Sequence, residues 1–266
     1  MGKIVTIINQ KGGAGKTTTT DALLSGLLKK GYKVLGIDLD PQINLTTTAR
    51  ADTDKGTILN ILVDKEKAKN LIQTTPEHGD FIAGDRNLVG ADAMITATGR
   101  EFRLKEALEE VKKDYDYIFI DTPPALGILT INALTACDSV VIPAQASSYS
   151  EAGIMQLAET IDPVKKYTNP NIRIDGILLT RYNKRIVLSQ AIREEIDKQI
   201  APILHTKTYE TTIREGVAIR EAAYEQESIF NYALSAPAVQ DYAVFLDEFL
   251  EREKFPMDFS KEKNGK

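Results

Sequence analysis

A lysine and a threonine that follow a glycine-rich stretch near the N-terminus have the types and spacing needed to bind phosphate. In the segment NQKGGAGKTTTT, the residues Gly15, Lys16 and Thr17 fit the end of the pattern G-x-x-x-x-G-K-[ST]. Gln10 stands at the position of the pattern's first glycine, and a second lysine, Lys11, follows it. The segment therefore predicts a nucleotide site in which one glycine is missing and one lysine is in excess.

The expected contacts with a nucleotide follow from a loop that joins a strand to a helix. Glycines let the backbone N–H groups approach phosphate oxygens closely, and the helix dipole adds to the attraction. We expect Lys16 to reach the β- and γ-phosphates, Thr17 to bind Mg²⁺ through its hydroxyl, and Thr18 to lie near the α-phosphate. The loop residues expected to surround the phosphates are Gly12, Gly13, Ala14, Gly15, Lys16, Thr17 and Thr18. The alternative is an ordinary turn that matches the pattern by chance.

Carboxylates end two further apolar segments. Asp121 closes the run YIFID, where the metal-binding aspartate of a phosphate-loop enzyme would stand. Asp38 and Asp40 end the run GIDLD, where a carboxylate can orient a water for attack on phosphate or hold a metal-bound water. The structural alternatives are a capping aspartate at Asp121 and a turn at Asp40, which precedes Pro41.

The elements that must position these residues alternate along the chain between short apolar runs and helical patterns. The predicted strands are KIVTII, YKVLGIDLD, GDFIAGD, YDYIFIDTPP, SVVIPAQ and IRIDGILLTRYN. The predicted helices include TTTDALLSGLLKKG, EFRLKEALEEVKKD and residues 152–167. Near-continuous apolar strands between helices indicate an α/β fold with three α/β/α layers and a mostly parallel sheet. Ligands of such sheets bind at the carboxyl ends of the strands, where the three loops above meet.

Length and composition narrow the class of protein. The 266 residues fit one domain, expected at residues 1–250, followed by a polar and flexible tail at residues 251–266. A single cysteine, Cys137, excludes an intrachain disulfide and a four-cysteine metal site. No apolar run is long enough for a membrane span, so we expect a cytoplasmic protein. The net charge of −5 argues against a surface that is basic throughout and leaves room for a local basic patch.

Four segments in order, KGGAGKTTTT, DLDPQ, IDTPPALGILTINAL and VVIPAQ, resemble the ParA-type (Soj-like) partition ATPases. This group belongs to the deviant Walker-A (ParA/MinD) family, and the resemblance extends over residues 2–250. It implies the P-loop NTPase fold, slow Mg²⁺-dependent ATP hydrolysis, and a homodimer in the ATP-bound state. It also implies nonspecific binding to double-stranded DNA on the nucleoid, and a centromere-binding partner similar to ParB that stimulates hydrolysis.

The resemblance also implies roles for individual residues. Lys11 matches the family's signature lysine, which would reach across a dimer interface to the partner's ATP and which, with Lys16 and Asp40, would be catalytic. Asp40 would position the attacking water. The implied Mg²⁺ residues are Thr17, Asp38 and Asp121, and Asn183 is the residue implied to contact the adenine base.

A basic stretch is the expected DNA-binding region. Between Lys165 and Arg220 there are 11 Lys and Arg residues and six Asp and Glu residues, a local balance of +5. Phosphate contacts made by such a patch would be sensitive to salt. The candidates are Lys184, Arg185, Arg193, Arg214 and Arg220. A solvated surface of mixed charge is the alternative, and Ile213 and Ala223 depart from the family's pattern around the last two arginines.

Other members of the fold remain as alternatives. A MinD-like or other cargo-positioning ATPase would share the same chemistry, and a metabolic P-loop synthetase would need a substrate pocket and no DNA. A stable membrane helix at the C-terminus is not expected, because Pro256 and acidic residues interrupt the final segment. The single cysteine excludes the nitrogenase iron protein, which needs two per subunit.

Overall fold

The apolar runs of the sequence form the strands of one sheet. The computed structural model describes residues 2–146 and 150–254, and side chains for residues 2–146 and 154–254. Within these residues the strands are β1 Lys3–Ile7, β2 Val34–Asp38, β3 Gln73–Thr75, β4 Gly79–Ile82, β5 Tyr117–Asp121, β6 Ser139–Gln145, β7 Arg173–Thr180 and β8 Thr208–Thr212. Their order in the sheet is β3-β4-β2-β5-β1-β6-β7-β8, and only the β3–β4 pair is antiparallel.

Helices connect the successive strands except β3 and β4, which a short turn joins. The α-helices are α1 Lys16–Lys29, α2 Asn44–Thr48, α3 Ala68–Leu71, α4 Ala91–Met94, α5 Arg103–Glu109, α6 Ile128–Ala136, α7 Ser150–Tyr167, α8 Val187–Glu195, α9 Ala201–Ile203, α10 Val217–Glu225, α11 Ile229–Tyr232 and α12 Pro237–Lys254. Short 3₁₀ turns cover Thr53–Lys55, Arg86–Gly90, Arg100–Phe102 and Lys112–Asp114. Single π-helical turns cover Asn60–Asp64 and Ile196–Ile200.

The two faces of the sheet are covered by separate hydrophobic clusters. On β5, Ile118 and Ile120 point into one cluster and Phe119 into the other, as the period of two along a strand requires. The first cluster includes residues of α5, α6, α7 and α8, and the second includes residues of α1, α11 and α12. This arrangement confirms the predicted three-layer α/β/α fold with its mostly parallel sheet.

The register of the central strands brings the candidate residues together at the carboxyl ends of these strands. Asp121 is the partner of Ile7 on one side and of Asp38 on the other. Since the three strands are parallel and adjacent, the loops that leave β1, β2 and β5 begin side by side. The site therefore lies at the carboxyl ends of the strands, as expected for this class of sheet.

Two strands were not predicted, and both lie at the edges of the sheet. β3 has only three residues, and β8 has the sequence TYETT, in which polar residues outnumber apolar ones. An edge strand needs fewer apolar side chains than a central one, so neither segment carries the apolar run that marks the inner strands.

The last helix extends further than the sequence suggested. Residues 251–254, the start of the expected tail, form the final turn of α12, whereas residues 255–266 lie outside the described part of the chain. The guanidinium of Arg252 lies 4.0 Å from the ring centroid of Tyr209, and Glu253 accepts a 3.1 Å hydrogen bond from Arg173. These contacts with the sheet hold the helix end in place, so residues 251–254 belong to α12.

Candidate functional site

The loop between β1 and α1 forms an open cradle. Gly13 and Gly15 adopt left-handed backbone angles, with φ of 73° and 97°. A Cβ atom added at Gly12 or Gly13 would meet no atom within 4 Å, so the outer side of the loop has room for a ligand. A Cβ at Gly15 would lie 3.3 Å from Cγ2 of Thr180, which supports the inner side. The loop thus turns its backbone outward and rests on the end of β7.

Helix α1 begins directly behind this loop. Gly15 is the N-cap residue, and no side chain in the described residues caps the first turn. The N–H groups of a first helical turn lack intrahelical acceptors, and the helix dipole adds positive potential there. A 14-residue helix with an open, glycine-rich approach therefore presents backbone donors to an anion.

Lys16, the first residue of α1, is buried with a relative exposure of 6%. Burial lowers the pKa of its ammonium group, while the carboxylates of Asp121 and Asp40 act in the opposite direction. A buried ammonium at the floor of an open cradle is placed to meet ligand charge, because its attraction to an anion is screened far less than at the surface.

Thr17 and Asp121 form a hydroxyl–carboxylate pair beside the cradle. The Thr17 hydroxyl donates a 2.7 Å hydrogen bond to Oδ2 of Asp121, and the Thr20 hydroxyl lies 3.4 Å from Oδ1. Burial raises the pKa of Asp121 well above its usual range, and the nearby Asp38 raises it further. Hard oxygen donors of this type suit Mg²⁺.

The loop after β2 holds its two aspartates in different ways. Asp38 is fully buried and accepts hydrogen bonds from the N–H of Asp40 at 3.0 Å and from the N–H and hydroxyl of Thr46 at 2.9 and 2.8 Å. Burial raises the pKa of Asp38 to about 6, although these hydrogen bonds oppose the rise. Asp40 accepts one hydrogen bond from the N–H of Gln42, at 3.0 Å, and lines the cavity above the cradle. Asp38 thus fixes the loop, and Asp40 faces the ligand space.

The charges of this site favour a bound cation. Three carboxylates, Asp38, Asp40 and Asp121, lie near one buried ammonium, Lys16. Across the described ranges, no cluster of three or more His, Cys, Asp or Glu side chains has the arrangement of a complete metal site. The hydroxyl–carboxylate pair of Thr17 and Asp121 suits Mg²⁺, which proteins usually hold through one or two side chains together with water and substrate phosphates.

A cavity of about 370 Å³ lies above the cradle, a volume within the usual range for small-molecule sites. The loop and the start of α1 form its floor, and Asp40, Gln42, Asn44 and Pro124 form one side. The opposite wall consists of Thr180, Arg181, Ile213, Arg214, Glu215, Gly216, Ile219, Arg220 and Tyr242. The predicted phosphate loop and Asp40 therefore meet in one space, whereas Asp38 and Asp121 lie behind its surface.

The far wall is attached to α12. Asp241 accepts hydrogen bonds from Nε and Nη2 of Arg214, both at 2.7 Å, and from its N–H at 3.0 Å. The hydroxyls of Tyr242 and Thr19 lie 3.2 Å apart and join α12 to α1. Bidentate pairs between arginine and a carboxylate are geometrically specific. Asp241 therefore holds the segment that closes the cavity.

Replacing Asp241 with alanine should loosen this wall. The pair is partly exposed, with Arg214 at 57% and Asp241 at 13%, so we expect a loss of about 1 kcal/mol in the free energy of unfolding. If the wall must be ordered again on binding, nucleotide affinity should fall about fivefold. Thermal denaturation and nucleotide titration measure the two effects. The matched control is Asp247→Ala, which removes an exposed ion pair with Lys30 from the same helix. Equal nucleotide affinities for the two variants would refute the role of Asp241.

The residues predicted to bind DNA lie in several places. Lys184 and Arg185 are exposed in the turn after β7. Arg193 forms ion pairs with Asp197 and Glu210, at 3.5 and 3.3 Å. The other two candidates, Arg214 and Arg220, are exposed and line the cavity, and Arg214 also lines a neighbouring groove with Lys184 and Arg185. The net positive charge counted along the sequence is therefore partly neutralised by ion pairs.

Asn183, the residue expected at the base, does not line this cavity. Its side chain is exposed, its Oδ1 accepts a 3.0 Å hydrogen bond from the N–H of Arg185, and it belongs to a neighbouring groove. The cavity wall contains residues that the sequence did not single out, namely Thr180, Arg181 and Tyr242. The position of Thr180 and Arg181 at the carboxyl end of β7 could have identified them from the sequence, because ligands of such sheets bind at strand ends. Nothing in the sequence marked Tyr242.

No helix within the described ranges has the length and apolar character needed to cross a membrane.

Comparison with known proteins shows similarity to one family model and to several relatives. The model of an AAA domain family matches residues 2–174. The sporulation initiation inhibitor protein Soj of Bacillus subtilis is 43% identical over 252 residues, covering 93% of this chain and 96% of that protein. The chromosome partitioning protein ParA of Myxococcus xanthus is 34% identical over 257 residues, covering 95% of this chain and 89% of that protein.

Two solved structures have similar folds. A variant of McdA from Cyanothece in complex with ATP aligns with a TM-score of 0.81 and 25% identity, covering 94% of this chain and 96% of that one. Cobyrinic acid a,c-diamide synthase from Mycobacterium smegmatis, with bound ADP and magnesium, aligns with a TM-score of 0.78 and 30% identity, covering 97% of both chains. Both of these structures contain an adenine nucleotide.

Proposed function

Because this chain belongs to the family of Soj and ParA chromosome-partitioning ATPases, we propose that it is a Mg²⁺-dependent ATPase that segregates DNA. In this proposal ATP binding drives formation of a sandwich homodimer, and the dimer binds double-stranded DNA without sequence preference. A partner similar to the centromere-binding protein ParB stimulates slow hydrolysis and thereby releases the dimer. The protein would act in the cytoplasm, on the nucleoid.

One observation carries the proposal: a buried lysine, a hydroxyl–carboxylate pair and a cavity-lining aspartate meet around one cradle. Lys16 would bind the β- and γ-phosphates, and Gly12 to Thr18 would supply backbone donors. Thr17 would hold Mg²⁺, with Asp121 behind it accepting the hydrogen bond that orients its hydroxyl. When bound, Mg²⁺ would neutralise phosphate charge. The proximity of these groups around one cradle supports the proposal.

Asp40 would orient the attacking water. It lines the cavity, and only one of its oxygens, Oδ1, accepts a described backbone hydrogen bond. The loop around it is anchored by Asp38, so its carboxylate is held at a fixed distance from the cradle. Such positioning is the main contribution that phosphoryl-transfer enzymes make to hydrolysis.

Lys11 would couple ATP to dimerisation. It lies on the outer part of the loop and is half-buried. A cation supplied by a second subunit to the γ-phosphate stabilises the dimer only when that phosphate is present. ATP occupancy would then set the population of the dimer and, through it, the population bound to DNA.

Lys184 and Arg185 are the strongest DNA candidates, because both are exposed and adjacent. A dimer would present about four such cations, which predicts a slope of about −3.6 for log affinity against log salt. Arg193, Arg214 and Arg220 are weaker candidates, since the first two are engaged by carboxylates and the third faces the cavity.

A metabolic P-loop synthetase is the second candidate function. The observation that favours it is the similarity to cobyrinic acid a,c-diamide synthase over 97% of both chains. Such an enzyme would use the same phosphate cradle to activate a small substrate and would have no need of DNA. DNA binding therefore discriminates between the two candidates, whereas ATP binding does not.

The proposal is tested by a DNA gel shift with ATP and with ADP over a series of salt concentrations. We expect binding with ATP only, with the salt dependence given above. The double variant Lys184→Ala, Arg185→Ala should reduce the magnitude of the slope by about 1 for each cation that no longer binds a DNA phosphate. Lys67→Ala, Lys69→Ala is the matched control, because it removes the same charge from exposed positions outside the expected DNA-binding region. No binding at low salt, or equal binding with ADP, would favour the synthetase.

A further inference from the structure

Asn9 is buried at the point where β1 becomes the phosphate-binding loop. Its relative exposure is 3%, and both ends of its side-chain amide are engaged. Oδ1 accepts a 2.9 Å hydrogen bond from the N–H of Lys11, and Nδ2 donates a 2.7 Å hydrogen bond to the carbonyl of Pro143 in β6. If the amide were flipped, its NH₂ group would face the N–H of Lys11, and its oxygen would face the carbonyl oxygen of Pro143. The side chain is therefore fixed by its partners at both ends.

The contact with Pro143 replaces a hydrogen bond of the sheet. Ile8 donates its N–H to the carbonyl of Val141, at 3.1 Å, and parallel ladders repeat every two residues. The next β6 carbonyl is that of Pro143, which the N–H of Gln10 would reach if β1 continued. The chain turns away instead, and the Asn9 amide takes this acceptor. Asn9 thus lets the strand end early without leaving a buried carbonyl unpaired.

A second buried side chain fixes the other half of the loop. The Thr180 hydroxyl donates a 2.8 Å hydrogen bond to the carbonyl of Ala14, and Thr180 also supports Gly15. Asn9 and Thr180 therefore hold different parts of the loop. Thr180 bonds to the part that would surround the phosphates, whereas Asn9 bonds to the backbone of Lys11.

We propose that Asn9 is the positioning residue for Lys11. By tying the Lys11 N–H to β6, Asn9 sets the backbone direction from which the lysine reaches the second subunit. With 3% exposure Asn9 cannot contact a partner itself, so any effect on dimerisation must pass through the loop. The inference rests on the proposed function, in which Lys11 acts across the ATP-bound dimer, and it adds a residue that lies outside the phosphate-binding motif.

The test compares dimerisation with nucleotide affinity in the full chain. Asn9→Ala should weaken the dimer formed with a nonhydrolysable ATP analogue about tenfold, as expected for loss of a buried hydrogen-bond pair. The affinity of the monomer for ADP should fall much less. Thr180→Val, which removes the bond to Ala14, should instead lower both quantities in parallel. Asn9→Ser retains a short acceptor for the Lys11 N–H and should restore part of the dimer. Sedimentation velocity and ADP titration give the two readouts.

Lys11→Ala separates failure of this inference from failure of the proposed function. If Lys11→Ala dimerises with the ATP analogue as the wild type does, the cross-subunit role itself is refuted. If Lys11→Ala loses the dimer but Asn9→Ala keeps it, only the role of Asn9 is refuted. If Asn9→Ala lowers dimerisation and ADP affinity to the same extent, as expected for Thr180→Val, the role of Asn9 is also refuted. Such a result would indicate that Asn9 supports the loop as a whole and does not position Lys11 specifically. If Asn9→Ala does not fold in thermal denaturation, the same criteria apply to Asn9→Ser.

Discussion

Replacing Lys16 with alanine should abolish ATP binding at ordinary protein concentrations. Lys16 is buried on the floor of the cradle, and its ammonium interacts electrostatically with the carboxylates of Asp121 and Asp40. Removing one member of a buried set of charges costs about 3–5 kcal/mol, which corresponds to a loss of roughly 10²- to 4 × 10³-fold in affinity. Calorimetric titration with ATP and Mg²⁺ measures this loss.

The control for Lys16→Ala is Lys29→Ala, which removes an exposed lysine from the opposite end of the same helix. This variant loses the same charge and keeps the cavity, so its affinity for ATP should match that of the wild type. Thermal denaturation of Lys16→Ala separates a failure to bind from a failure to fold, because a folded variant that does not bind ATP isolates the role of the ammonium group. Retained affinity in a folded Lys16→Ala protein would exclude Lys16 as the phosphate-binding lysine.

Replacing Asp40 with alanine should trap the ATP-bound dimer. Asp40 faces the cavity from a loop that Asp38 anchors, so its removal deletes the group that would orient water but leaves the phosphate cradle intact. General-base and water-positioning groups contribute about 10²- to 10⁴-fold, and we expect the turnover number to fall by that factor. Phosphate release and sedimentation velocity with ATP measure turnover and the dimer population.

The matched variant is Asp40→Asn, which keeps an oxygen for the N–H of Gln42 and therefore the turn. If the carboxylate charge matters, Asp40→Asn should be as slow as Asp40→Ala. If only the turn matters, Asp40→Asn should behave as the wild type does. Normal turnover in Asp40→Ala, with an unchanged dimer population, would show that another group orients the water.

The central strands of the sheet were predictable because they depend on runs of apolar residues that are local in the sequence. Strands β1, β2, β5, β6 and β7 are buried on both faces, so their apolar runs are nearly continuous in the sequence. The edge strands β3 and β8 carry mostly polar residues, and their place in the sheet depends on the neighbour that each one pairs with. The end of α12 depends on contacts that Arg252 and Glu253 make with distant strands.

The sequence by itself determined the chemistry of the cradle. Gly15, Lys16 and Thr17 are contiguous, and a loop between a strand and a helix places such residues at the helix N-terminus whatever surrounds them. The parallel sheet then places Asp121 and Asp40 nearby, because the ends of adjacent parallel strands meet. Residue types, spacing and the general geometry of the sheet were sufficient for this part of the site.

Only the tertiary structure decided which side chains hold and enclose the cradle. Asn9 and Pro143 are 134 residues apart, and Thr180 lies 166 residues from the Ala14 carbonyl that it binds. Arg214, a candidate for DNA binding, is paired with Asp241 at the cavity wall. Hydrogen bonds of this kind depend on how helices and strands pack in three dimensions. No periodicity or motif in the sequence specifies the distance and direction between two such distant residues.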